Sequence, residues 1–119
     1  MRLQEEVASL VGSQMDLIRD PEMSAALAPY LVSPALQFRR WDYSDPPSEF
    51  ACWMVAIFPS RRLGIVYCDQ GHGPDEPWAL VDLDNPSFGM DSEWFLGLDD
   101  AFMRSGMWKG SLPPDYEVR

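Results

Sequence analysis

The chain has 119 residues, of which 46% are apolar and 24% charged, and its formal net charge is −10. This length suits one domain, and the apolar share can build a hydrophobic core, which excludes a disordered acidic tail. The charge disfavours binding to nucleic acid or to an anionic membrane surface. No apolar run is long enough to span a bilayer, and the opening MRLQEE does not resemble a secretory signal, so we expect a cytoplasmic protein.

The acids are concentrated in the second half of the chain. Residues 1–62 carry eight acids and six bases, whereas residues 63–119 carry eleven acids and three bases. Neither Lys nor Arg occurs between Leu63 and Met103. Such a field would speed the encounter with a basic protein, although acids also serve plain solubility.

Two helices are predicted within residues 1–31. Asp20 is expected to cap the second, short helix, which begins at Pro21 and is ended by the prolines at 29 and 34. The first helix has apolar residues at steps of three and four, which predict one packed face. That face comprises Leu3, Val7, Leu10, Val11, Gln14 and Ile18, widened by Met15 and Leu17.

Four strands are predicted between residues 35 and 83, and their short connections require mainly antiparallel pairing. The apolar alternation of the first strand, ALQFRRWDY, changes phase, which predicts a bulge at Arg39–Arg40. The second, FACWMVAIF at residues 50–58, is apolar on both faces, which is typical of a central strand and leaves a homodimer open. LGIVYCD and WALVDL are predicted to be the third and fourth strands.

The last predicted element is a helix over residues 91–105, capped by Asp91 or Ser92 and ended by Gly106, with residues 107–119 as a tail. The whole pattern predicts a single α+β domain. It has N-terminal helices, a four-stranded, mainly antiparallel sheet, and a C-terminal helix packed on the sheet.

The residues that could support catalysis are few. His72 is the single histidine, and a thiolate pair with Cys68 has no third group to orient it. A metal held by His72 with nearby acids matches no established metal-loop spacing, so we expect no metal and no cofactor. Cys52 and Cys68 are predicted to be buried in strands and reduced, with a disulfide between neighbouring strands as the alternative.

The segments FPSRRLGIVYCD, GHGPDEPWALV and MDSEWFLGLDDAFMRSGMW, which cover roughly residues 50–108, resemble a group of small acidic bacterial immunity proteins. These are encoded beside secreted or contact-delivered toxins. The matching residues serve mainly turns and packing, and they are Gly71, Gly73, Pro74, Pro77, Trp78, Val81, Met90, Asp91, Ser92, Trp94, Phe95, Leu98, Ala101 and Phe102. The resemblance implies a protein without chemistry of its own that covers a toxin's active site, whose basic cleft would attract an acidic surface.

We therefore predict a partner-binding surface for a cognate toxin, with Trp78 and His72 as central contacts. No nucleic acid or membrane is expected as a partner. Two alternatives stay open: an acidic mimic of nucleic acid that blocks a DNA-binding protein, and a small enzyme that uses Cys68 with His72 or a metal. The charged rim of the predicted surface comprises Asp69, Asp75, Glu76, Asp82, Asp84, Asp91 and Glu93.

Overall fold

The computed structural model describes residues 3–41, 48–70, 75–85, 87–88 and 92–110. Over these residues the chain forms one α+β domain with three α-helices and a six-stranded sheet. None of the described helices is long and apolar enough to cross a membrane. The helices are α1 (Gln4–Leu17), α2 (Pro21–Leu27) and α3 (Leu98–Arg104). The strands are β1 (Leu31–Trp41), β2 (Ser48–Phe58), β3 (Leu63–Tyr67), β4 (Trp78–Asp82), β5 (Ser87–Phe88) and β6 (Glu93–Phe95).

The two N-terminal helices form where the sequence predicts them. Val7 is fully buried and Met15 packs against the core, whereas Leu17, expected on the same face, is 70% exposed. Asp20 accepts a hydrogen bond from the backbone N–H of Glu22 at 2.9 Å, so it caps α2 as predicted.

The sheet is larger than predicted. Its strand order is β5-β1-β2-β3-β4-β6, and every pair is antiparallel except β1 with β5, which run parallel. The predicted strands correspond to β1 through β4. The predicted count of four was wrong because β5 and β6 extend the sheet at its two edges. With two and three residues, they are too short to give a periodic sequence signal.

The predicted helix over residues 91–105 was wrong in its first half. Trp94 and Phe95 pair with β4 as part of β6, opposite Ala79 and Trp78. The helix α3 begins only after Gly97, and its first backbone N–H groups need a partner. The structure supplies one from far away in the sequence, since the side-chain oxygen of Gln14 accepts the N–H of Leu98 at 3.0 Å.

Gly106 follows the end of α3 with a φ of +81°. This left-handed conformation is accessible to glycine without steric cost, so the predicted stop at Gly106 is confirmed. The predicted tail begins with residues that pack, because Met107 and Trp108 contact the core. Residues 111–119 of that tail lie outside the described part.

The sheet curls, and each of its faces covers a separate apolar cluster. The outermost strands β5 and β6 approach each other, with the rings of Phe88 and Trp94 4.8 Å apart. Inside the curl lies an inner cluster of seven buried residues, and the helices pack over the opposite, outer face. The inner cluster comprises Cys52, Met54, Val66, Cys68, Ala79, Val81 and Phe88.

The strand β1 does not have the predicted bulge at Arg39–Arg40. Its pairing with β2 is continuous from Ala35 to Trp41, and the register shift lies between Leu31 and Ala35 instead. The change of phase in the sequence has another cause. Arg39 is only 4% exposed and points into the curl, where its Nη1 donates to the carbonyl of Asn85 at 2.7 Å.

Candidate functional site

Three of the predicted acids meet at the loop end of the β3–β4 hairpin. Tyr67 pairs with Trp78, and the N–H of Cys68, the residue after β3, donates to the carbonyl of Pro77 at 2.8 Å. Because an antiparallel register continues in opposite directions, Asp69 comes to lie beside Glu76. Asp75 is exposed, and both of its acidic neighbours are half-buried. We call Asp69, Asp75 and Glu76 the acidic end.

Two aromatic side chains pack directly beside the acidic end. The rings of Tyr67 and Trp78 meet edge to face, with centroids 5.0 Å apart and planes at 69°. The hydroxyl of Tyr67 also donates to Asp69 at 3.4 Å, which restrains that carboxylate. A side chain held in this way loses less freedom when a partner binds, so the site is partly preorganised.

Trp78 itself is not available as a contact residue. It is 2% exposed and belongs to the apolar cluster between the helices and the outer face of the sheet, which we call the outer core. The structure therefore corrects the prediction that Trp78 forms the centre of a binding surface. The correction has a physical reason. In an antiparallel sheet the residue beside a buried tyrosine on the same face is also covered, and β6 shields the other flank of Trp78 through Phe95.

Asp82 and Asp84 lie at the opposite end of the hairpin, and the six residues from Glu76 to Asp82 correspond to about 20 Å along the strand. They do not form one rim with the acidic end. Arg62 makes a two-pronged ion pair with Asp84, and Asp82 accepts the backbone N–H of Asp84 at 2.8 Å. The hydrogen bonds from Arg62 hold the pKa of the Asp84 carboxyl below its usual value. Part of the predicted negative charge is therefore neutralised within the fold.

Glu93 is neutralised in a similar way. Its carboxylate accepts a hydrogen bond from Nε of Arg104 at 2.6 Å, which ties β6 to the end of α3. Glu93 and Asp82 also line a pocket of about 260 Å³ beside β4, together with Ser92 and Asn85. His72 and Asp91, the two remaining predicted contacts, lie outside the described residues.

An exposed leucine beside the acidic end was not predicted. Phe95 pairs with Trp78 at the end of β6, and the next residue, Leu96, is 70% exposed. The sequence gives no signal for it, because Leu96 lies within a segment that reads as an amphipathic helix. An apolar side chain next to carboxylates is typical of a protein-binding surface.

The cysteines are buried inside the fold and do not lie at the surface of the acidic end. Cys52 and Cys68 are 0% and 1% exposed, and both are thiols. A hydrogen bond with Cys68 and burial raise the pKa of the Cys52 thiol, which disfavours the reactive thiolate. Among the residues described, no group of three or more His, Cys, Asp or Glu is arranged to hold a metal ion.

Comparison of the chain with protein-family models, with curated proteins and with solved structures finds no match.

Proposed function

We propose that the protein is an immunity protein that binds and neutralises a cognate bacterial toxin in the cytoplasm, with the acidic end as its main contact. The observation that carries the proposal is the placement of Asp69, Asp75 and Glu76 together on a firmly packed hairpin. No lysine or arginine occurs in the chain between Leu63 and Met103.

The physical argument concerns the toxin's substrate. A toxin that cuts nucleic acid, or that uses a nucleotide, needs a basic cleft to hold phosphate groups. Carboxylates on a preorganised hairpin complement such a cleft, speed the encounter and disfavour neutral partners. Leu96 would add an apolar contact at the edge of the same surface.

The residues that carry the resemblance to immunity proteins include several that pack in the core and are not exposed for contact with a toxin. Trp78, Phe95, Leu98 and Phe102, four of the residues that carry it, are buried in the outer core. The proposed contact therefore depends on the charge and geometry of the acidic end. The three acids of the acidic end are not among the residues that carry the resemblance.

The test is a double charge reversal, Asp75→Lys with Glu76→Lys, measured for binding to the protein encoded by the adjacent reading frame. The matched control is Glu5→Lys with Asp16→Lys, which makes the same change in net charge at two exposed positions of α1. We expect the hairpin variant to lose at least tenfold in association rate at low salt, and the control to change it less than threefold.

Equal loss in both variants would mean that only net charge matters and would contradict a site at the acidic end. Absence of binding by the wild-type chain at low and moderate salt would contradict the immunity function itself. Displacement of DNA from a DNA-binding protein, with no toxin binding, would support the nucleic-acid mimic instead.

A further inference from the structure

The two thiols face each other across neighbouring strands inside the curl. Trp53 in β2 pairs with Tyr67 in β3, so the next pair in the same antiparallel register is Cys52 with Cys68. Interaction with the Cys68 thiol is the largest cause that raises the pKa of the Cys52 thiol, which agrees with two neighbouring sulfurs. Both belong to the inner cluster, which is otherwise apolar, and the buried Arg39 lies near Cys52.

The backbone geometry at this pair suits a covalent bond. The N–H of Cys68 donates to the carbonyl of Pro77 in the segment leading into β4, at 2.8 Å, so it points away from β2. Cys52 and Cys68 therefore occupy a pair without mutual backbone hydrogen bonds, the kind in which the Cα atoms approach to about 4.5 Å. Disulfides in proteins join residues with Cα atoms about 4.4–6.8 Å apart.

The position of the two cysteines also determines how a reagent can reach their sulfur atoms. Cys68 is the first residue beyond β3, at an end of the strand, whereas Cys52 lies within β2. In the closed fold both sulfurs are shielded from water. A reagent in solution must therefore wait for local opening of the hairpin, which makes any reaction slow but does not prevent it.

We propose that Cys52 and Cys68 form a redox site, which a small-molecule disulfide converts into a cross-strand disulfide joining β2 to β3. One protein thiolate attacks the small disulfide, forming a mixed disulfide and releasing one small thiolate. The second protein thiolate then attacks the protein sulfur of the mixed disulfide and releases the other. Two protein thiols are oxidised, two protons go to solvent or to the released thiolates, and one small disulfide is reduced to two thiols.

The bond would close a loop that contains the end of β2, the turn at Pro59–Arg61 and all of β3. Such a crosslink restricts the unfolded chain and raises stability when native geometry is kept. It would also fix the strand that leads into Asp69. The proposal does not depend on any toxin partner, because it rests on the pairing of the two strands.

The test uses the full chain in two arms, each with oxidised dithiothreitol as the disulfide. In one arm the reduced protein is refolded in the reagent, and in the other the folded protein is incubated with it over several days. We expect both arms to give a monomer that lacks two hydrogens by mass spectrometry and shows no reactive thiol after denaturation. Its melting temperature should rise by about 5–10 °C and return on reduction.

Cys52→Ser and Cys68→Ser are the controls, and neither should give the intramolecular product or the rise in melting temperature. Failure to form the bond on refolding, or a bond that lowers the melting temperature, would overturn the assigned geometry. Formation on refolding but not in the folded protein would overturn the redox site, because the pair would then be closed to reagents in the native state.

Discussion

The two ends of the β3–β4 hairpin carry similar numbers of acids, but they differ in what faces those acids. At the loop end, Asp75 is exposed beside two half-buried acids. At the other end, Asp84 is paired with Arg62, which directly precedes β3. The comparison teaches that acidic residues in a sequence are not equivalent to negative charge on a surface. A single arginine in the turn before β3 pairs with the acid at one end.

The largest expected effect is a loss of stability, and it tests the aromatic packing next to the acidic end. Trp78→Ala should lower the free energy of unfolding by about 3–5 kcal/mol, because it removes a large buried ring and leaves a cavity against Tyr67. Urea denaturation measures the change. Leu96→Ala is the nearby control, and at 70% exposure it should stay within about 0.5 kcal/mol. Equal costs for the two variants would contradict the assignment of Trp78 to the core.

An intermediate effect is expected at the other end of the hairpin, where Gly64 has no room for a side chain. A Cβ at this position would meet the sulfur of Met54 at 2.7 Å and the backbone oxygen of Ala56 at 3.0 Å. Gly64→Ala should therefore destabilise the fold by about 1–3 kcal/mol in the same denaturation experiment.

Gly12 in α1 is the matched control, since a Cβ there meets no atom within 4 Å. Gly12→Ala should stabilise the protein by about 0.5–1 kcal/mol through better helix propensity. The prediction at Gly64 fails if the two substitutions change stability in the same direction.

The smallest expected effect concerns the ion pair itself and depends on pH. Because Arg62 lowers the pKa of folded Asp84 below its ordinary value of 3.8, the pair contributes stability above pH 3.8. That contribution is lost as pH falls through the lower folded pKa. The melting temperature of the wild type should slightly exceed that of Asp84→Asn at pH 6, and the two should converge in strong acid.

Added salt should reduce the same difference, because both partners of the pair are exposed. In an Arg62→Gln background, Asp84→Asn should have no comparable pH-dependent effect. A difference that persists there would show that the carboxylate acts through some other group.

Much of the fold could be predicted from local pattern. Asp20 and Pro21 define the start of α2 by capping chemistry, and the apolar run at residues 50–58 defines the central strand. These signals are local, so they persist when the chain folds. The α+β class follows from them directly.

The β1 strand shows why the rest could not be predicted. Hydropathy alone would favour burial of Leu36 and Phe38 over burial of Arg39, but the structure has the opposite arrangement. Leu36 and Phe38 are 40% and 56% exposed, and Arg39 is buried beneath a distant loop. Which side of a strand is covered depends on the other strands, and the sequence of β1 alone does not contain that information.

The candidate site was predicted only in part, because some of its contacts depend on the pairing of distant strands. Asp69, Asp75 and Glu76 are close in sequence across one hairpin, so their meeting could be expected. The pairing of Glu93 with Arg104 depends on the short strand β6, which local pattern assigned to a helix. Tertiary pairing overrode the helix-start signal there.

The hydrogen bond from Leu98 to Gln14 has a consequence for the order in which the protein folds on the ribosome. Its two residues are 84 positions apart in sequence. The segment that forms α1 emerges long before the segment that it caps, so it must remain undocked or make other contacts while the sheet is synthesised. Contacts of such long range slow folding and leave apolar surface uncovered in the nascent chain. Val7 is the residue of α1 that is fully buried in the finished core. Its side chain therefore stays exposed until the later segments are synthesised, and a chaperone that covers it would protect the nascent chain during that interval.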